Sequence, residues 1–134
     1  MALDTAEIDR LLQARGNAYT PYSHHPVAAL VEDDQGRQFA GCNVEIANYK
    51  GLCAEASAIA TMVSQTGATA LRRVVVMGPG SALCTPCGDC RQRIREFATP
   101  DTEIVVVNGE GEVLKRYSME MLLPDSFGPE NLTV

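Results

Sequence analysis

Two rhythms of apolar positions run along this chain, one with helical spacing and one of short continuous runs. Ile8, Leu11, Leu12 and Arg15 recur at helical spacing, with Asp4 or Thr5 as a cap and Gly16 as a stop, which predicts a helix over 4–16. Asn17 to Pro26, with two prolines and two tyrosines, reads as a loop. Val27 to Glu32 is a short apolar strand, 33–36 a turn, and Arg37 to Glu45 the returning strand of a hairpin. Leu52 to Gln65 is an alanine-rich apolar helix ended by Gly67, expected to be buried on several faces. Arg73 to Met77 and Glu103 to Asn108 are β-branched runs of the kind that buried strands carry. Between them lie a loop, 78–85, and a helix from Pro86 to Phe97, with the proline suited to its first turn. A turn at 109–111, a strand over 112–117, a helical turn at 119–123 and a loose tail from Pro124 complete the pattern.

The order α-β-β-α-β-α-β-β predicts an α/β fold, with a mixed sheet and helices on both faces. With 134 residues and neither repeat nor linker, one domain over 1–134 is expected. The net charge of −6 matters for function, because no run of Lys or Arg is longer than Arg72-Arg73. An acidic chain without a basic stripe is a poor ligand for a phosphate backbone, which argues against a nucleic-acid partner and for a small substrate. No apolar run is long enough to span a membrane, and the first residues lack a signal-peptide core, so no membrane partner and a cytoplasmic location are expected. In a reducing compartment, five cysteines with three in a patterned group favour metal or catalysis over disulfides.

That group is Cys53-Ala54-Glu55 with Pro86-Cys87-Gly88-Asp89-Cys90. Zinc prefers thiolate and imidazole ligands, and three protein ligands leave the fourth position open for water. Cys87 and Cys90, three apart at a helix start, present both sulfurs to one ion, and Cys53 opens another helix. Glu55, two residues from Cys53, is placed to move protons without binding the metal. A ligand-x-Glu followed by Pro-Cys-x-x-Cys is the signature of zinc deaminases. Alone, the Cys-x-x-Cys pair also suits a redox protein or half of a structural zinc site; Cys53, Glu55 and Pro86 turn the balance to a catalytic Zn2+. Cys42 reads as a core thiol and Cys84 as a spare one in the loop before the motif.

Over nearly its whole length the chain resembles the small, homotetrameric cytidine deaminases. The resemblance rests on Pro21-Tyr22-Ser23, Gly41-Cys42-Asn43-Val44-Glu45, Tyr49, Cys53-Ala54-Glu55, Pro86-Cys87-Gly88 with Cys90-Arg91-Gln92, and Leu122-Leu123-Pro124 with Phe127-Gly128-Pro129. It implies a three-layer α-β-α sandwich with a mixed five-stranded sheet, and hydrolysis of cytidine or deoxycytidine to uridine or deoxyuridine plus ammonia. It also implies zinc on Cys53, Cys87 and Cys90, and Glu55 as proton shuttle and partner of the ring N3. Asn43 and Glu45 would bind the sugar 3′-hydroxyl, Ala54 would meet the base through its backbone, and His25 would lie against the base. Ala47, Tyr49 and Phe127 would reach a neighbouring subunit's site in a homotetramer of the pyrimidine salvage pathway.

Three positions depart from the family pattern. Ala56 stands where an arginine is common, His25 where a phenylalanine is, and Ala28 where a glycine is. Loss of the arginine predicts a more anionic metal site, with Arg91 or another basic residue as a candidate to compensate. The changes bring in blasticidin-S deaminase, a relative acting on a modified cytosine nucleoside, but that relative does not keep the Asn-x-Glu pair found here. A non-catalytic zinc-stabilised protein of the same fold is the alternative of another class, and the retained Glu55 argues against it.

Overall fold

The computed structural model describes residues 2–132. Its elements are α1 (Thr5–Gly16), β1 (Ala28–Asp33), β2 (Gln38–Cys42), α2 (Ala54–Thr66), β3 (Leu71–Met77), α3 (Gly88–Phe97), β4 (Ala98–Val107), β5 (Val113–Ser118) and α4 (Met119–Leu122). The five strands form one sheet in the order β2-β1-β3-β4-β5. β3 and β4 are parallel, and the other neighbouring pairs are antiparallel. Strands β2, β3 and β4 therefore run in one direction, with β1 and β5 opposed.

The side-chain alternation of strands sorts the core into two halves. Ala29, Val31, Val74, Val76 and Ile104 point to one face, where they pack with Ala58 and Met62 of α2, Ile94 of α3 and Leu122 of α4. Ala28, Leu30, Val75, Met77, Val105 and Val107 point to the other, beneath Leu11 of α1. The expected three-layer α/β sandwich with a mixed sheet is what forms. Ala28, one of the departures, lies wholly buried on the α1 side, so that change belongs to core packing.

The differences from the sequence reading fall at element ends. Strand β2 stops at Cys42, and Val44 continues only through single bridges to Tyr19 and Leu52. α2 begins at Ala54 rather than Leu52, and α3 at Gly88, so Pro86 precedes the helix instead of opening it. β4 starts at Ala98, directly after α3, because Ala98 already pairs with Leu71 before a register shift; Thr102 donates its hydroxyl to Leu71 O at 2.6 Å across that irregular stretch. Over its described residues, 124–132, the tail is not loose; 133–134 lie outside the described residues. Gln92 Nε2 donates to Phe127 O at 2.9 Å, Arg95 Nε donates to Ser126 Oγ at 2.8 Å, and Arg95 pairs with Glu130. Pro129–Asn131 forms a short 3-10 turn there.

Polar groups pin the frame. Asp4 caps α1 and forms a capping box with Glu7, which also pairs with Arg73 of β3 and accepts from Gln38 Nε2 at 2.7 Å. In the β1–β2 turn, buried Asp33 accepts from the backbone N–H groups of Gln35 and Arg37, each at 2.9 Å, and pairs with Arg37 Nε at 2.6 Å. Burial opposes ionisation of Asp33, but the Arg37 backbone N–H and guanidinium, with the Gln35 N–H, outweigh it and hold the carboxyl below its ordinary value. A carboxyl lowered on folding contributes stability above its unfolded pKa and loses it as pH falls through the folded one. Asp33→Asn is therefore expected to be less stable than the parent at pH 7. The gap should close below about pH 4, the ordinary carboxylate range. Urea unfolding across that range checks this, and an equal deficit at every pH would contradict it.

Candidate active site

The sheet topology brings the two cysteine motifs together. α2 connects β2 to β3 and α3 connects β3 to β4, so both helices follow strands of the same direction and share a face of the sheet. Ala28 at the start of β1 pairs with both Cys42 and Met77, the last residues of β2 and β3. The segments leading to α2 and α3 thus leave the same edge of the sheet, where open α/β sheets bind ligands.

Cys53 is the N-cap of α2, Cys87 is the N-cap of α3, and Cys90 lies in α3's first turn. Their sulfurs all lie within 4.8 Å of one another, with Cys53 Sγ and Cys87 Sγ 3.9 Å apart. Neither N-cap side chain bonds its helix, so both thiols are left for another partner at the positive ends of two helices. Gly41 permits this approach. A Cβ there would meet Ala58 N at 2.4 Å, Ser57 Oγ at 2.7 Å and Ala54 O at 2.9 Å, so the first turn of α2 rests directly on β2's backbone.

Burial pushes the Cys90 thiol strongly up, reinforced by Glu55 and Cys53, and burial likewise raises Cys53. Glu55, the second residue of α2, is 4% exposed; burial pushes its carboxyl up against hydrogen bonds from its own backbone N–H and from Cys90. Three converging thiols next to a buried carboxylate, with Cys53 and Cys90 resisting ionisation, fit a soft divalent cation, which displaces thiol protons and neutralises the cluster.

The other expected residues divide into two groups. His25, Asn43 and Glu45 lie along this edge and are knitted together. Asn43 Oδ1 accepts from Val27 N at 2.9 Å, and its Nδ2 donates to His25 O at 3.0 Å. Glu45 accepts from Tyr22 N at 3.0 Å, from Ser23 N at 3.2 Å and from the Ser23 hydroxyl. The Ser23 hydroxyl, the Ser23 N–H and the Tyr22 N–H hold the Glu45 carboxyl below its ordinary value. Ala54 is buried at the head of α2. In contrast, Ala47, Tyr49 and Phe127 face outward. Tyr49 is 84% and Phe127 58% exposed, and Tyr49 packs edge-on against Tyr22 with ring centres 6.0 Å apart.

Cys84, read from sequence as a spare thiol, belongs to this neighbourhood. Its Sγ lies 3.8 Å from His25 Nε2, and burial raises its thiol with a further push from the Glu55 carboxylate. The loop folds back tightly on the end of β3, where a Cβ at Gly78 would meet Cys84 Cβ at 2.7 Å, a contact that leaves no signal in the sequence. Ala56 is buried in a groove between α2 and α3 that is also lined by Asp89, Gln92 and Arg93.

Residues 1–107 match the family model of the cytidine and deoxycytidylate deaminase zinc-binding region. The chain belongs to this family. A cytidine deaminase of Sporosarcina psychrophila is 34% identical over 122 residues, covering 90% of this chain and 88% of its own length. One from Mycobacterium tuberculosis is 37% identical over 121 residues, covering 90% and 86%. The crystal structure of the Burkholderia pseudomallei cytidine deaminase superposes with a TM-score of 0.81 at 35% identity, covering 93% of this chain and 99% of that one. The family's zinc-binding region and the three-cysteine cluster together fit Zn2+.

Gly41→Ala is expected to push α2 off β2, lowering stability by about 1–3 kcal/mol. It should also lower the zinc retained per chain, because Cys53 moves with the helix. Thermal unfolding with metal analysis of the purified variant tests this; a variant with full zinc content would show that α2's seat does not govern the cluster.

Proposed function

We propose that this chain hydrolytically deaminates cytidine and deoxycytidine to uridine and deoxyuridine, releasing ammonia. The observation that carries the reading is the cluster of three sulfurs with the buried Glu55 beside it, in a chain of the deaminase family. Cys53, Cys87 and Cys90 hold the zinc and leave one coordination position to the reactants. The bound ion supplies Lewis-acid activation of the attacking water. Glu55 takes the proton that this water gives up and delivers it to the ring N3. It then carries the second proton to the leaving amine as the C4–N bond breaks. Its raised pKa suits a group that must alternate between the two protonation states.

In this reading Asn43 and Glu45 receive the sugar 3′-hydroxyl. The Asn43 amide retains a second N–H and the Glu45 carboxylate further lone pairs beyond the loop contacts they already make. The Ala54 backbone meets the base, and His25, steadied by Cys84, lines the pocket beside it. Ala47, Tyr49 and Phe127 complete the sites of neighbouring copies in a homotetramer, which accounts for an exposed Tyr49 and Phe127. The whole of 1–134 acts as one domain, in pyrimidine salvage in the cytoplasm. Among the described residues no helix is long and apolar enough to cross a membrane. A net charge of −6 supports a nucleoside over a polynucleotide.

Wild-type protein is expected to carry zinc near one per chain and to consume cytidine in an absorbance assay. Glu55→Ala should keep the zinc and lose at least about 100-fold in kcat. A zinc-loaded Glu55→Ala protein with undiminished turnover would overturn the role of Glu55. Wild-type protein that holds zinc but leaves every cytosine nucleoside intact would overturn the reaction.

A further inference from the structure

The first turn of α3 holds two of the three cysteines, yet its entry is not secured by a side-chain cap. What secures it is Arg91. Its Nε donates to Pro86 O at 2.8 Å, one terminal nitrogen donates to Leu122 O at 2.9 Å, and the other lies 3.3 Å from Thr85 Oγ1. Pro86 is bonded directly to Cys87, and Arg91 follows Cys90 directly. The guanidinium therefore closes a ring around the Cys87-to-Cys90 turn, while the backbone N–H of Arg91 donates to Cys87 O at 2.9 Å inside it. Its third anchor is the last residue of α4, on the far side of the turn.

We propose that Arg91 is a positioning residue for the zinc ligands. It fixes the rotation of the turn carrying Cys87 and Cys90 relative to Cys53, and couples that turn to α4 and the segment bearing Phe127. This rests on the assignment of Cys53, Cys87 and Cys90 as zinc ligands. The chemistry suits arginine: one planar fork reaches a carbonyl before the turn, a hydroxyl beside it and a carbonyl in another element at once. A lysine reaches one of these. Groups that orient metal ligands from outside the coordination sphere commonly change metal affinity by about 10–100-fold.

Arg95 provides the control. It sits one turn further along α3 and holds the C-terminal segment through Ser126 and Glu130, with no side-chain hydrogen bond among the described residues to those around Cys87. The experiment measures zinc release to a chromophoric chelator, and the charge-transfer spectrum of the cobalt-substituted protein, for wild type, Arg91→Met, Arg91→Lys and Arg95→Met. The proposal expects zinc release faster by about tenfold or more in Arg91→Met. Arg91→Lys should be intermediate, the cobalt spectrum should shift in both, and Arg95→Met should match wild type in both readouts. If Arg91→Met fails to fold, the Arg91→Lys and Arg95→Met pair carries the comparison. Zinc release and cobalt spectra unchanged at position 91, or changed equally at 95, would overturn it. Wild-type protein that binds no zinc would instead overturn the ligand assignment.

Discussion

Everything at the active edge depends on forcing three thiols and a carboxyl into one small volume. Left to themselves such groups repel one another once ionised and resist ionisation once buried, as the raised Cys53, Cys90 and Glu55 values show. The chain meets this constraint with topology. Two helices follow parallel strands β2 and β3, and their N-termini converge over one sheet edge, so that each brings the positive end of its dipole to a thiol. A divalent cation then completes the balance. The convergence is held by close packing as much as by charge: β2 has a glycine where α2 lands, and any side chain there would lift the helix away.

The convergence of Cys53, Cys87 and Cys90 was legible because a zinc site demands particular residue types at fixed spacing, and spacing survives in sequence. The central strands were legible for a related reason: β3 and the later part of β4 are buried on both faces and read as continuous apolar runs. Element ends were less so. Ala98 to Asp101 pattern as a loop, since residues 99–101 are exposed, and only pairing with Leu71 makes them strand. The C-terminal segment lacks apolar periodicity because polar bonds from Gln92 and Arg95 hold it, and such contacts leave no period to read. Cys84 read only as a spare thiol for a similar reason. Its meaning comes from His25, which is distant in sequence and brought near only by the fold.

Asn43 and Glu45, proposed to receive the sugar, are also part of the architecture. Their resemblance to a sugar-binding pair came from sequence; within the chain they tie down the segment from Tyr22 to Val27. The two roles are compatible physically. A carboxylate has about four lone-pair sites and an amide offers donors and acceptor together, so loop contacts do not exhaust either group. In the proposed sugar-binding role this is preorganisation: both groups are already locked by backbone partners, so little side-chain entropy remains to be lost on binding. His25 gains from the same arrangement, because its carbonyl is held by Asn43 while its ring faces Cys84.

Position 56 sharpens the electrostatic problem. A basic side chain directly after Glu55 would place a fixed positive charge near the thiols, and alanine places none. In its groove, Asp89 and Arg93 pair with each other at 3.4 Å. The positive complement of the cluster in this chain therefore comes from the two helix ends, the bound cation and the Arg91 guanidinium held at Pro86 O. Those contributions depend on direction: a helix dipole and a metal act through the placement of the sulfurs, whereas a flexible basic side chain can follow them. A site balanced in this way depends on where its sulfurs sit, and the order of the turn around Cys87 and Cys90 becomes part of the electrostatics.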